Sequence, residues 1–169
     1  GSTDQVMIVT QRDRFRGGYS GYGNWDSTRR YLVTYGDDLN NLGSELLMDL
    51  GEKNMGDANT LSDFLTWAIQ TYPADKYILI MSDHGMGWPG GWSDPAPATA
   101  DRGSAPIVSA LQQNSIFLNE LDQALAKIQA NTGIDKFDLI GMDACLMSQL
   151  EVFTTLQPYA HYAVASEET

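Results

Sequence analysis

A chain with one cysteine, Cys145, and two histidines, His84 and His161, has few side chains able to attack a carbonyl carbon or carry its proton. Cys145 closes the stretch FDLIGMDAC and His84 closes YILIMSDH. In each case an apolar run stops at a side chain capable of acyl-transfer chemistry. An ionised thiol is a good nucleophile, and a neighbouring imidazole lowers its pKa or takes its proton. Gly85 has no side chain, so its N–H can approach a substrate closely and, with the Cys145 N–H, hold a developing oxyanion. Taken singly, neither signal is specific: a lone cysteine at a strand end is most often a buried hydrophobe, and a His-Gly pair is most often a turn. The informative feature is that each residue terminates its own apolar strand.

The elements that must position them can be read from the apolar pattern. Residues 77–81 (YILIM) and 137–142 (FDLIGM) are the kind of run that suits a parallel sheet covered on both faces. In such sheets the active site lies at the carboxyl ends of the strands, so parallel neighbours would deliver His84 and Cys145 side by side. Further strands are expected at 5–10 (QVMIVT), 30–35 (RYLVTY) and 162–165 (YAVA). Leucines 39, 42, 46, 47 and 50 fall at helical spacing and predict a short helix over 38–50, despite Gly43. A second helix opens near Thr60, with Thr60 and Asp63 as a capping box, and Pro73 closes it. A third carries Leu118, Leu121, Leu125 and Ile128 and ends near Gly133. A fourth runs from Leu146 to Leu156, which would place Cys145 at a helix N-terminus, where the positive dipole end favours a thiolate. Residues 13–26 and 86–106 lack an apolar period and read as long loops. The alternation gives a single α/β domain with a mostly parallel sheet.

Composition narrows the function classes. With 169 residues, 43% of them hydrophobic, the chain can bury a real core. Twenty-two acidic residues against 10 Lys and Arg give a net charge of −12, which argues against a nucleic-acid partner and suits a cationic one. One cysteine excludes an internal disulfide and a thiolate zinc site. No apolar run approaches the roughly 20 residues that span a bilayer. Gly1-Ser2 reads as a cloning remnant.

The pattern of strand then His-Gly, and strand then Asp-Ala-Cys, resembles the clostripain-like cysteine peptidases, family C11 of the caspase–gingipain–legumain clan. The resemblance extends over GEKNMGDANTLSDFLTWAIQTYPADKYILIMSDHGMGW (51–88), FDLIGMDACLMSQLEV (137–152) and ASEE (165–168), and VMIVTQRDR with STRRYLV is similar to the family's second strand region. It implies a three-layer αβα sandwich of caspase-like fold. It also implies an endopeptidase cutting after Arg or Lys, with Cys145 as nucleophile, His84 as general base, and Gly85 and Cys145 N–H groups as the oxyanion hole. Asp143 matches an acidic position that selects a basic P1 residue, as a carboxylate can grip a guanidinium through two hydrogen bonds; its alternative reading is a helix N-cap. Ser166 and Glu167 match the segment bordering the same pocket. Maturation by self-cleavage between the His and Cys strands is implied as well, and Arg102-Gly103 is the candidate bond, since residues 77–126 contain no other Lys or Arg.

Members of that family usually begin with a further strand and continue past the Ser-Glu-Glu, so the chain is expected to be a fragment, completed by another segment or polypeptide. The resemblance also implies a bacterial protein that is secreted or associated with the cell envelope. No cofactor is required by this chemistry. Asp83, Asp94 and Asp101 are candidates for calcium, a hard cation that takes oxygen ligands, although their spacing forms no EF-hand loop. Trp88, Trp92 and the Tyr19-Tyr22-Trp25 loop are candidates for lining a substrate groove, and His161 reads as a packed or surface residue. A non-catalytic binding module retaining the peptidase fold is the alternative from another class.

Overall fold

The computed structural model describes residues 1–14, 25–36, 43–94 and 114–168, which group into two compact units, residues 1–53 and 54–168. The first unit is an antiparallel sheet of β1 (Val9–Arg12), β2 (Arg29–Leu32) and β3 (Glu45–Asp49), in that order. The strand expected at 5–10 therefore starts later, and β2 is its hairpin partner, with Thr10 opposite Tyr31. Trp25 is buried beneath two guanidinium groups, Arg14 at 3.8 Å and Arg29 at 5.0 Å from the ring centroid, so it belongs to this packing.

The helix expected over 38–50 is overturned at its carboxyl half, while residues 37–42 lie outside the described residues. Leu46, Leu47 and Leu50 fit helical spacing, but residues 45–49 pair with β2, Leu46 opposite Tyr31 and Met48 opposite Arg30. Gly43 precedes the strand, and Arg29 Nε lies 2.8 Å from Asp49 Oδ2 across the ladder. Tertiary pairing outweighs the local spacing here.

The second unit carries the expected parallel sheet. Its order is β4 (Ile78–Ser82), β7 (Phe137–Asp143), β8 (Ala160–Ala165), all parallel. Between β4 and β7 in sequence lies a small antiparallel pair, β5 (Gly90–Ser93) and β6 (Ser115–Phe117). The 86–106 stretch is thus not wholly irregular. Three helices are present among the described residues: α1 (Ala58–Thr71), α2 (Leu118–Thr132) and α3 (Leu150–Leu156). The cap of α1 is Asp57, not Thr60: its Oδ1 accepts the Asn59 N–H at 2.8 Å, three residues earlier than the capping box predicted. Gly133, at φ 75°, ends α2 as expected.

One face of the parallel sheet supplies the core. Leu79, Met81, Ile140 and Met142 pack with Leu65 and Ile69 of α1, Leu121, Leu125 and Ile128 of α2, and Val152 and Leu156 of α3. Burying each such side chain contributes about 1.5–3 kcal/mol. Tyr159 ties α2 to the start of β8, donating to Asp122 Oδ1 at 2.7 Å, and burial pushes its phenol up to about 12. The opposite face is different: Ile78 and Ile80 of β4 and Tyr162 and Val164 of β8 are exposed. The described residues thus provide the sheet and one helical layer. No helix among them is long and apolar enough to cross a membrane.

Candidate active site

The register of β4 and β7 sets the geometry. Ser82 is opposite Asp143, and Asp83 N–H donates to Asp143 O at 3.2 Å just beyond the paired strands. His84 and Cys145 follow two residues after that pair, so they leave neighbouring parallel strands at the same level. Strands so paired lie about 4.8 Å apart. His84 is exposed and Cys145 half-buried.

Gly85 sits against the cysteine. A Cβ at position 85 would overlap the Cys145 carbonyl oxygen and lie 2.9 Å from Met147 Cγ, so only glycine allows this approach. From behind, β5 braces the histidine segment: Trp92 N–H donates to His84 O at 2.9 Å, and Met86 N–H donates to Gly90 O at 2.8 Å. Gly91 is needed for this, because a Cβ there would lie 2.6 Å from His84 O and 3.0 Å from Gly85 Cα. Among the described residues, neither the Gly85 N–H nor the Cys145 N–H has a hydrogen-bond partner. Two unengaged donors on adjoining segments are the feature an oxyanion requires.

The turn after Cys145 corrects one expectation. Residues 146–149 are not helical, and α3 begins only at Leu150, with Gln149 at its N-cap. Cys145 therefore does not sit at a helix N-terminus, and the dipole argument for its thiolate fails. Instead Leu146 takes φ 61°, a left-handed conformation that costs a leucine about 1–2 kcal/mol. The same observation removes the capping reading of Asp143. Its carboxylate is exposed and accepts the Ser82 hydroxyl at 2.9 Å through Oδ2.

On the other side of the nucleophile, Ser148 N–H donates to Ser166 O at 2.9 Å, which holds the end of β8 against the cysteine turn. The Ser166 hydroxyl donates to Glu168 O, and Glu167 is exposed. Asp143 and Ser166 thus come from the ends of adjacent strands. Arg102 and Asp101 lie outside the described residues, as do Tyr19 and Tyr22. Of the calcium candidates, Asp94 is buried and accepts the Met55 N–H at 2.8 Å, while Asp83 is exposed. Trp92 is buried, Trp88 is exposed near the site, and His161 is exposed on β8. Sequence reasoning missed Ser82, Met147 and Gln149. Gln149 Oε1 accepts the Trp88 N–H at 2.8 Å, and the closely spaced glycines of HGMG were the available signal of that tight approach.

Residues 37–169 match the model of the clostripain family of C11 peptidases. The chain belongs to the clostripain family. It is 32% identical to clostripain from Hathewaya histolytica over 111 residues, which is 63% of this chain and 19% of that protein. Among solved structures, it resembles a secreted C11 cysteine protease from Bacteroides thetaiotaomicron in complex with an irreversible peptide inhibitor. The TM-score is 0.65 at 22% identity, covering 95% of this chain and 38% of that one. An inactive zymogen C11 protease from Parabacteroides distasonis gives a TM-score of 0.63 at 24% identity, with 96% and 38% covered. These likenesses establish the C11 fold, an α/β architecture with a parallel sheet flanked by helices. The chain spans about a fifth of the curated clostripain and under half of the solved C11 chains.

Proposed function

We propose that this chain carries the catalytic core of a cysteine endopeptidase that cuts after Arg or Lys. The observation that carries the reading is the in-register parallel pairing of β4 and β7, with Gly85 against the Cys145 carbonyl and both flanking N–H groups unengaged. The Cys145 thiol gives its proton to His84, and the Sγ thiolate attacks the scissile carbonyl carbon. The Gly85 and Cys145 N–H groups hold the oxyanion. The imidazolium then protonates the leaving amine, and a thioester remains. Water, deprotonated by His84, attacks the thioester, releases the acid and restores the thiol. None of these steps calls for a metal or organic cofactor.

Asp143 is the proposed selector of the basic side chain, with Ser166 and Glu167 bordering the same pocket. Ser82 engages only Oδ2, which leaves Oδ1 for a guanidinium or ammonium. The test is a peptide panel with Arg, Lys and Asp at P1, run on wild type and Asp143→Ala, beside thiol labelling by an arginine-directed probe. Loss of Arg cleavage with Cys145 still alkylated by iodoacetamide, which has no P1 side chain, assigns Asp143 to specificity; undiminished Arg cleavage refutes it. A wild-type protein that takes no label, or a Cys145→Ala variant that does, leaves the binding-module reading instead.

Maturation by cleavage of the Arg102–Gly103 bond belongs to the same proposal. Mass spectrometry of the active protein showing that bond intact would refute it. The apolar outer face of the sheet supports a further partner, a segment of the longer protein or a complementary chain, because parallel sheets are covered on both faces. If that face is covered, Ile80→Asp destabilises the complete protein by about 3 kcal/mol; a neutral effect would show it stays in water. Export from a bacterial cell is proposed from the secreted relatives in Bacteroides thetaiotaomicron, and detection of the native protein only in the cytoplasm would refute it.

A further inference from the structure

The segments that leave β4 and β7 beside the candidate site carry exposed apolar side chains. Met86 and Trp88 are 37% and 65% exposed, and Leu146 and Leu150 are 45% and 78% exposed. Single exposed apolar residues need no account, but these four come from two short segments pinned to each other beside the nucleophile. Trp88 N–H donates to Gln149 Oε1 at 2.8 Å. Gly87, buried with φ 75°, passes so close to Gln149 that any Cβ would overlap its amide. The left-handed φ of 61° at Leu146 directs the chain away immediately after Cys145.

Sheet order decides which half of a substrate meets these side chains. Cys145 follows the central strand β7. The segment from His84 to Trp88 follows β4 on one side, and Ser166 and Glu167 follow β8 on the other. In acyl transfer to a thiol, the imidazole must protonate the departing amine, so the departing half of the peptide lies on the imidazole side. A basic P1 side chain directed toward Asp143 and Ser166 leaves the His84 side for the residue after the scissile bond.

We propose that Trp88, with Met86, Leu146 and Leu150, forms a subsite for a large apolar side chain at P1′. The enzyme then prefers junctions in which a basic residue is followed by an apolar one. This rests on the peptidase reading above. Gly103 would leave the subsite empty, but cleavage within one chain benefits from a high effective concentration and does not need that contact.

The test uses the complete mature protein and two peptides with P1 Arg, identical except for Leu or Ser at P1′. The wild type is expected to favour Leu in kcat/KM by about tenfold, the scale of one apolar side chain in a pocket. In Trp88→Ala the Leu-to-Ser ratio falls to about one, and Trp88→Phe restores most of it. Because the readout is a ratio within one protein, partial loss of folded enzyme cancels. Leu150→Ala should lower the ratio independently. A second readout is capture of the acyl-enzyme by added amines: leucinamide competes with water better than serinamide in the wild type and not in Trp88→Ala. Equal rates for the two peptides in wild type, or an unchanged ratio in Trp88→Ala, overturn the subsite. If the wild type accepts no arginine-directed thiol label, the peptidase reading itself has failed.

Discussion

Replacing Gly85 by alanine tests the geometry of the site with one added methyl group. That Cβ would overlap the Cys145 carbonyl oxygen and lie 2.9 Å from Met147 Cγ and 3.0 Å from its Sδ. Met147 is fully buried and cannot swing away, and the carbonyl is main chain. The two segments must therefore part by about 1 Å to recover ordinary contact distances. A misplacement of that size between nucleophile, base and oxyanion donors costs about 100-fold in rate. Overpacking should also remove about 1–3 kcal/mol of stability. The assay is kcat/KM on an arginine peptide, paired with urea denaturation so that lost activity in folded protein is distinguished from unfolding. Gly133→Ala is the control: nothing lies within 4 Å of the added methyl, and the backbone strain at φ 75° is its only cost. It should cost about 1 kcal/mol and leave kcat/KM unaltered. Full activity in Gly85→Ala, within about threefold of wild type, would refute the argument that these segments are held in contact for catalysis.

Other outcomes follow from individual contacts. Because burial raises the Tyr159 phenol to about 12 while an unfolded tyrosine ionises near 10, its contribution to stability is complete below about pH 10 and is lost as pH rises toward 12. Tyr159→Phe should remove this high-pH loss, as seen in denaturant midpoints at pH 9 and 11, and should lower stability at neutral pH by about 1.5–3 kcal/mol. Asp57→Ala should cost about 1 kcal/mol through the lost cap of α1, read by thermal melting, with Asp57→Ser recovering most of it. Thr60→Ala, at the position first expected to cap that helix, should have a smaller effect.

The parallel core of the second unit was legible in sequence for a physical reason. Residues 78–82 and 137–143 are mostly apolar runs ending in polar residues, a pattern produced by strands inside a sheet. That pattern carried His84 and Cys145 with it. The helix misread over 45–49 shows the limit: leucines at 46, 47 and 50 fit helical spacing, and pairing with β2 overrides it. Strand β5 was hidden because Gly-Gly has little strand propensity; Gly91 lets the chain pass close to His84, and Gly90 lets it pass close to Ile116 and Phe117 of β6. The late start of α3 was invisible for a similar reason. Residues 146–149 have helical composition, but the backbone reverses its sign of φ at Leu146, which no side-chain pattern announces.

The pairing of β4 with β7 has a consequence for the molecule once its chain is broken. His84 lies before residue 95 and Cys145 after residue 113, so a single cut anywhere between separates the base and the nucleophile onto two polypeptides. What then holds them together is a parallel ladder from Ile78–Leu139 to Ser82–Asp143, the antiparallel pairing of β5 with β6 and the packing of α1 on α2. A nicked protein would behave as a heterodimer formed from one gene product: its melting would depend on concentration, and its refolding would become second order.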